Sequence, residues 1–354
     1  MNDDQIQALQ AHVRTAIETR SPLSIRGAGT KGFLGHTPLG KPLDVRGHAG
    51  IVNYQPKELV ITARCGTRLD EIETALAEQD QMLPFEPPYF GAAATIGSTI
   101  ACGLSGPARA YLGSARDMVL GTRVLTGRGE ILRFGGEVMK NVAGYDVSRL
   151  MTGAFGTLGV LLDVSIKVLP RPAVMRTLTQ ERNAPEALEL MNRWASKPLP
   201  VTATCWDGER LYVRLAGAKQ GVSRATAEIG GEPLQDADGF WRDKIREQNH
   251  GFFAGDQPLW RLSVPQSAPP LALSGKQLVE WGGSQRWLRS SANAQAIRAA
   301  VSEAGGHATL FRGGDRSGEV FQPLPIALQR LHRNLKQVFD PAGVLNPGRL
   351  YADF

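Results

Sequence analysis

The 354 residues are enough for about two domains, and 42% hydrophobic with 21% charged residues is the composition of a globular protein with a sizeable core. The net charge of +6 comes from basic residues scattered along the chain, which excludes the basic stripe of a nucleic-acid-binding module. Cys65, Cys102 and Cys205 are too few and too separated for a disulfide framework or a CxxC metal site; residues 1–20 lack a signal-peptide core and no apolar run approaches the roughly 18 residues that span a bilayer, so a cytoplasmic location without an integral membrane segment is expected.

Ile6, Leu9, Val13, Ala16 and Ile17 recur at helical spacing and predict an opening amphipathic helix. A strand at residues 23–26 runs into Gly27-Ala28-Gly29-Thr30-Lys31-Gly32, and residues 59–64 read as a second strand. Thr67-Arg68-Leu69-Asp70 signals a helix start, with Leu69, Ile72 and Leu76 as the apolar face. Residues 90–113 are mostly small, too poor in large side chains to build a core, and read as an ordered loop. Residues 119–125 and 131–134 predict a hairpin around Thr126-Gly127-Arg128-Gly129. A short helix at 144–151 and a buried strand at 160–169 lead to Pro170-Arg171-Pro172, where the composition changes. Beyond it, strands at 201–205, 211–215, 259–264, 277–281, 285–289 and 308–312 alternate with helical patterns at 185–196, 219–229 and 293–304, an antiparallel α+β arrangement. Residues 326–339 are helical and end in Asp340-Pro341-Ala342-Gly343-Val344-Leu345-Asn346-Pro347-Gly348-Arg349.

Gly27, Gly29 and Gly32 spell GxGxxG after a strand, but the Rossmann reading requires a helix to begin at once. Two prolines and two glycines within residues 33–42 forbid that helix. What survives is a loop whose backbone amides converge on an anion, with Arg26 or Lys31 adding charge, or else a tight turn that needs glycine for conformation alone. A second segment, Ala94-Thr95-Ile96-Gly97-Ser98-Thr99-Ile100-Ala101-Cys102-Gly103, continues through Leu104-Ser105-Gly106-Pro107. Its small side chains let a flat ring or phosphate lie on backbone, and its hydroxyls and amides offer hydrogen bonds.

Taken together, residues 20–170 resemble the FAD-binding domain of the vanillyl-alcohol oxidase / para-cresol methylhydroxylase superfamily. The pieces come in the family's order: Arg26-Gly27-Ala28-Gly29-Thr30, then Thr95-Ile96-Gly97-Ser98 with Gly103 and Gly106, then Gly113-Ser114-Ala115-Arg116-Asp117. Lys140-Asn141-Val142-Ala143-Gly144-Tyr145-Asp146 and Gly153-Ala154-Phe155-Gly156-Thr157-Leu158-Gly159-Val160 follow, and Asn346-Pro347-Gly348-Arg349 resembles the C-terminal return to the flavin domain. Within the superfamily, the Lys140–Asp146 signature and the short chain are most similar to the FAD-binding subunits of bacterial glycolate oxidases.

The resemblance implies an α+β fold: a two-subdomain PCMH-type FAD-binding domain over 1–172, an antiparallel α+β cap domain over 173–325, and a segment 326–354 packing back on the FAD-binding domain. It implies FAD contacts at Arg26, Gly27, Ala28, Gly29, Thr30, Lys31, Thr95, Ile96, Gly97, Ser98, Gly103, Gly106, Gly113, Asp117, Gly144, Tyr145, Gly156, Gly159, Val160 and Asn346. Tyr145 and Asp146 read as positioning residues rather than a base. Relatives with covalent flavin carry a histidine where Thr30 stands, so non-covalent FAD is expected; Ser98 and Gly103 also depart from the commonest residues at their positions.

Oxidising a 2-hydroxy acid needs a cation for the carboxylate, a base for the hydroxyl proton and a path for hydride to FAD. Arg349 and then Arg312 are the candidate cations, with Arg316 read as surface charge. No metal site is expected: the six histidines, His12, His36, His48, His250, His307 and His332, include no pair at ligand spacing, and the lone His307 reads as structural. Two readings follow. Either the chain takes part directly in oxidation of glycolate or a similar small acid, or it is a flavin electron-transfer or assembly subunit beside a paralogous FAD-containing catalytic subunit. An iron–sulfur subunit is a further partner implied by the resemblance, with peripheral attachment to the inner membrane through partners. An oxidase of the same fold acting on another small alcohol or sugar is the remoter alternative.

Overall fold

The computed structural model describes residues 2–136 and 145–352. The chain folds into two compact units: Met1–Leu104, Ser114–Pro170 and Pro323–Phe354 form the first, Ser105–Gly113 and Arg171–Gln322 the second. No helix among the described residues is long and apolar enough to cross a membrane.

In the first unit, α1 (Asn2–Thr19) is followed by β1 (Leu23–Arg26), β2 (Lys41–Asp44), β3 (Ile51–Gln55), β4 (Val60–Arg64), α2 (Leu69–Ala77), β5 (Gln81–Met82) and α3 (Ile96–Cys102). After α4 (Arg109–Leu112), which belongs to the second unit, come α5 (Ala115–Met118), β6 (Val119–Leu125), β7 (Ile131–Gly135), α6 (Val147–Met151), β8 (Val160–Lys167) and β9 (Leu169–Pro170). Five of these strands form an antiparallel sheet in the order β3-β4-β8-β6-β7, and β1 pairs with β2 in parallel. Alternation along the strands gives the sheet two apolar faces. One meets Leu69, Ile72 and Leu76 of α2 with Ile96 and Ile100 of α3. The other meets Ile6, Leu9, Val13 and Ala16 of α1.

The structure corrects the reading of residues 90–113 as a loop. Gly97, Ser98 and Thr99 are weak helix formers, yet α3 forms because Ile96 and Ile100, one turn apart, are fully buried in the core and Thr95 caps the start. β2 and β3 carry no clear sequence signal: β2 lies in the proline-rich stretch, and β3 has no buried residue to show an alternation.

The second unit continues with β10 (Val174–Glu181), α7 (Ala184–Ala195), β11 (Val201–Trp206), β12 (Arg210–Gly217), α8 (Lys219–Ile229), β13 (Glu232–Pro233) and α9 (Ala237–Gly239). A π-helical turn, Phe240–Arg246, precedes β14 (Leu259–Ser263), β15 (Lys276–Glu280), β16 (Gln285–Arg289), α10 (Ala294–Glu303) and β17 (His307–Arg312). All eight strands form one antiparallel sheet in the order β13-β10-β12-β11-β15-β16-β14-β17. Helices α7, α8 and α10 bury Leu188, Met191, Val222, Ile297 and Val301 on one face. The segment after α9 lies on the other, where the Trp241 indole donates to Thr177 Oγ1 at 2.9 Å and Phe240 stacks on Tyr212. The long strand β10 is hidden in the sequence because its central Thr177, Leu178 and Thr179 are buried together, without two-residue alternation. The chain returns to the first unit as α11 (Ile326–Phe339).

Candidate functional site

A cavity of about 390 Å³ opens within the first unit. Four stretches supply most of its wall, with Pro38, Val45, Cys65 and Leu161 adding to them. Arg26 ends β1 and Gly27, Gly29, Lys31 and Gly32 follow it; Gly97, Ser98, Ala101 and Cys102 come from α3; Phe155, Gly156 and Gly159 precede β8; Asn346 and Arg349 follow α11.

β1 ends at Arg26, and the chain turns through Gly29, whose φ of +77° belongs to the left-handed region that glycine enters without strain. The Gly32 amide closes the turn on the Gly29 carbonyl at 2.9 Å. The amides of Gly27, Ala28, Gly29 and Thr30 have no hydrogen-bond acceptor among the described residues. A Cβ built on Gly29 meets no protein atom within 4 Å, so its open side is cavity. Successive unpaired amides beside an open space make an anion nest. Gly27 serves packing instead: a Cβ there would lie 2.6 Å from Thr95 Oγ1. Lys31 is buried, its Nζ 3.2 Å from the Tyr89 carbonyl and 3.5 Å from Thr30 Oγ1.

The amides of α3 are in a different state. Ile96 donates to Thr67 O at 2.9 Å, Gly97 to Cys65 O at 2.9 Å, Ser98 to Thr95 Oγ1 at 3.3 Å and Thr99 to Thr95 O at 3.1 Å. The second segment therefore offers small side chains and a flat surface, not the free amides that the sequence suggested. Thr95 and Ile96 are buried and absent from the wall. Gly103 ends α3 in the left-handed conformation (φ 62°), where a Cβ would meet Gly153 Cα at 3.1 Å.

The C-terminal stretch stitches these pieces together. Asn346 Oδ1 accepts from the Ile25 amide at 2.7 Å, its Nδ2 donates to Phe155 O at 2.6 Å, and its own amide donates to Leu23 O at 3.0 Å. A Cβ on Gly156 would come within 2.8 Å of that Nδ2, and one on Gly159 within 2.3 Å of Val124 Cγ1. Val160 is buried in the core beneath. Arg349 donates from Nη2 to Gly32 O at 3.1 Å and from Nη1 to His36 O, so its guanidinium pins the first loop while lining the cavity.

The pair that anchors this return is one that sequence reasoning missed. Lys336 Nζ donates to Thr157 O at 2.8 Å, Leu345 O at 2.7 Å and Asp340 Oδ2 at 2.7 Å, and Asp340 accepts the Leu345 amide at 2.8 Å. Both side chains are buried. Burial lowers the Lys336 pKa, with the Asp340 charge opposing. The available signal was their i,i+4 spacing immediately before the Asn346 motif.

Other expected positions lie elsewhere. Asp117 caps α5, accepting from the Ser114 amide and hydroxyl, each at 2.8 Å. Tyr145 is fully exposed, and Gly144 lies outside the described residues. Gly106, Gly113 and Arg312 belong to the second unit, where Arg312 donates to Gln248 Oε1 at 3.0 Å.

Among the described residues that line the cavity, none is acidic and Arg26, Lys31 and Arg349 are cationic. Burial raises the Cys102 thiol pKa, while the charges of Lys31 and Arg349 pull it down. Cys65 is pushed well up by burial and by Asp163. Asp163 itself is favoured as the neutral acid by burial, but His48 Nε2 at 2.8 Å and Arg123 hold it below the usual carboxylate range. An anion nest, an acid-free wall and a floor of small residues suit an extended cofactor that joins a diphosphate to a flat ring.

Residues 4–135 match a family model described as FAD binding domain. The chain is 51% identical over 350 residues to glycolate oxidase subunit GlcE of Escherichia coli (strain K12), covering 99% of this chain and 98% of that protein. It is 30% identical over 232 residues to glycolate oxidase subunit GlcD of Bacillus subtilis (strain 168), covering 64% of this chain and 48% of that one. Among solved structures, 4-ethylphenol oxidase from Gulosibacter chungangensis superposes with a TM-score of 0.71 at 15% identity, over 98% of this chain and 88% of that chain. Substrate-bound p-cresol methylhydroxylase gives 0.70 at 15% identity, over 98% and 87%. The fold is the PCMH-type α+β fold.

Proposed function

This chain belongs to the family of glycolate oxidase subunits that includes GlcE, and from that premise we propose that it holds FAD non-covalently in the cavity of its first unit. It is an FAD-dependent oxidoreductase subunit acting on a CH–OH group, within a multi-subunit glycolate oxidase complex. The observation that carries the cofactor reading is the run of amides at residues 27–30, without an acceptor among the described residues, beside an acid-free cavity that Gly27 and Gly29 line. These amides take the diphosphate, with Lys31 and Arg26 balancing its charge. Gly97, Ser98, Ala101 and Cys102 supply a surface on which a flat ring rests. Arg349 fixes the carbonyls of Gly32 and His36 and places a cation at the cavity wall, where it favours an anionic reduced ring. When bound, FAD accepts the hydride equivalent released at the CH–OH carbon.

Non-covalent attachment is supported by the wall itself: it contains no histidine or tyrosine among the described residues, and burial keeps the Cys65 and Cys102 thiols protonated. Acid precipitation of the purified yellow protein is expected to release FAD and leave a colourless pellet. A yellow pellet overturns the attachment; protein that stays colourless after incubation with FAD overturns the site.

We place this subunit beside a paralogous FAD-containing catalytic subunit and an iron–sulfur subunit, in the cytoplasm and peripheral to the inner membrane through those partners. The likeness to GlcD supports a related partner, and the cluster would sit elsewhere because the three cysteines are dispersed. His307, the lone histidine at the start of β17, favours the reading in which proton abstraction belongs to the partner and this chain carries electrons.

A further inference from the structure

The sheet of the second unit handles its guanidinium groups in two ways. Arg289 donates to the carbonyls of Phe252, Phe253, Gly255 and Gln257, and Arg286 to those of Gly283, Ala268 and Pro269. Each guanidinium is thus tied to three or four carbonyls of the fold. The side chain of Arg261, in the interior strand β14, makes no hydrogen bond or ion pair with any described residue, while its backbone pairs with β16 and β17. Its neighbours Trp260 and Leu262 face the core with α10, so Arg261 projects from the opposite face, in register with Trp287 and Thr309. It is only partly in contact with solvent, and burial together with the charge of Arg109 lowers its pKa to about 10, which leaves it charged at neutral pH.

Arg109 is itself held in place. Its guanidinium lies 4.5 Å from the centre of the Trp281 indole, whose Nε1 donates to Gly106 O at 3.0 Å. Trp281, Gly282 and Gly283 are three successive left-handed residues (φ 54°, 66° and 103°) in the turn between β15 and β16. An aromatic residue adopts that conformation only where its surroundings impose it. Here the Gly282 amide donates to Thr204 Oγ1 at 2.9 Å, and the Tyr111 hydroxyl meets the same oxygen at 3.1 Å.

A partly desolvated, charged fork without a protein acceptor is less favourable than one that an anion completes. We propose that Arg261 anchors the carboxylate of a small acid, with Arg109 adding positive charge beside it. The planar fork matches two carboxylate oxygens, and its place on an ordered strand fixes the direction of approach. The existence of the anion site follows from the second unit alone. That the acid is a 2-hydroxy or 2-oxo acid rests on the glycolate oxidase reading.

Isothermal titration of the full-length, FAD-loaded chain with oxalate, and separately with sulfate, tests this. Wild-type protein is expected to bind oxalate and to bind sulfate more weakly. Arg261→Gln should lose at least about tenfold in oxalate affinity, the loss expected for charge-assisted hydrogen bonds. Arg261→Lys should lose less, and Arg109→Ala less than Arg261→Gln. No oxalate binding by wild type, equal binding of sulfate, or an unchanged affinity in Arg261→Gln overturns the proposal. If Arg261→Gln does not fold, an unchanged affinity in Arg261→Lys does so, and a reduced one supports it. A chain that binds oxalate through Arg261 but never takes up FAD would overturn the cofactor reading and leave this site standing.

Discussion

Gly29 and Gly97 stand in similar strings of small residues, yet a methyl group meets a different obstacle at each. At Gly29 it enters open cavity beside the unpaired amides, at the cost of a left-handed φ of +77°. Gly29→Ala is expected to cost about 1 kcal/mol of stability and to weaken FAD binding by more than about tenfold. At Gly97 the methyl carbon would lie 2.6 Å from both Cβ and O of Cys65. Gly97→Ala should therefore destabilise the FAD-free chain by about 1–3 kcal/mol or more, the usual cost of overpacking. Melting curves with and without FAD separate the two; equal losses in the FAD-free chain would contradict the distinction. The glycines were legible in sequence because glycine is itself the signal. Lys336, Asp340 and Arg261 were not, because a charge on an amphipathic helix or alternating strand reads as solvated until its partners, or their absence, are known.

At the scale of elements, α3 shows local preference yielding to packing. Its Gly-Ser-Thr composition argues for a loop, but two isoleucines in the core and the Thr95 cap make a helix. β15 shows how a buried charge on one element becomes a pH dependence. Its last residue, Glu280, accepts from the Trp287 indole at 2.6 Å and from Gln285 Nε2 at 3.1 Å, and burial, against those bonds, raises its pKa from 4.5 to about 7. The unfolded chain releases this proton near pH 4.5, and the folded chain keeps it to about pH 7. Its contribution is thus complete below pH 4.5 and is lost as pH rises to 7, a difference of roughly 3 kcal/mol. Glu280→Gln is expected to raise Tm at pH 8 and to change it little at pH 4.5. An equal change in Tm at both pH values would show that Glu280 is not the source.

For the whole molecule, the open question of chemistry is how the work divides between this chain and its complex. Anaerobic mixing of the isolated FAD-loaded chain with glycolate addresses it. The expected outcome is slow or absent bleaching of the flavin, becoming rapid when the other subunits of the glycolate oxidase complex are added. Bleaching by the isolated chain at turnover rates would assign the proton abstraction to this chain.

The sequence by itself determined the fold class, the FAD-binding family and the two small-residue segments of the site, because left-handed turns and close backbone approaches are encoded by residues in place, in a fixed order. Tertiary structure decided which amides of those segments remain free. Those at residues 27–30 have no acceptor among the described residues, with Gly27 and Gly29 lining the cavity, whereas those that open α3 are taken by Thr67, Cys65 and Thr95. It likewise decided that Asn346 ties β1 to the Phe155 loop, and that the Arg261 side chain has no acceptor among the described residues while Arg289 donates to four carbonyls. The physical reason is the same in each case. A residue's conformation is set largely by itself and its neighbours, but the satisfaction of its hydrogen bonds depends on groups far away along the chain.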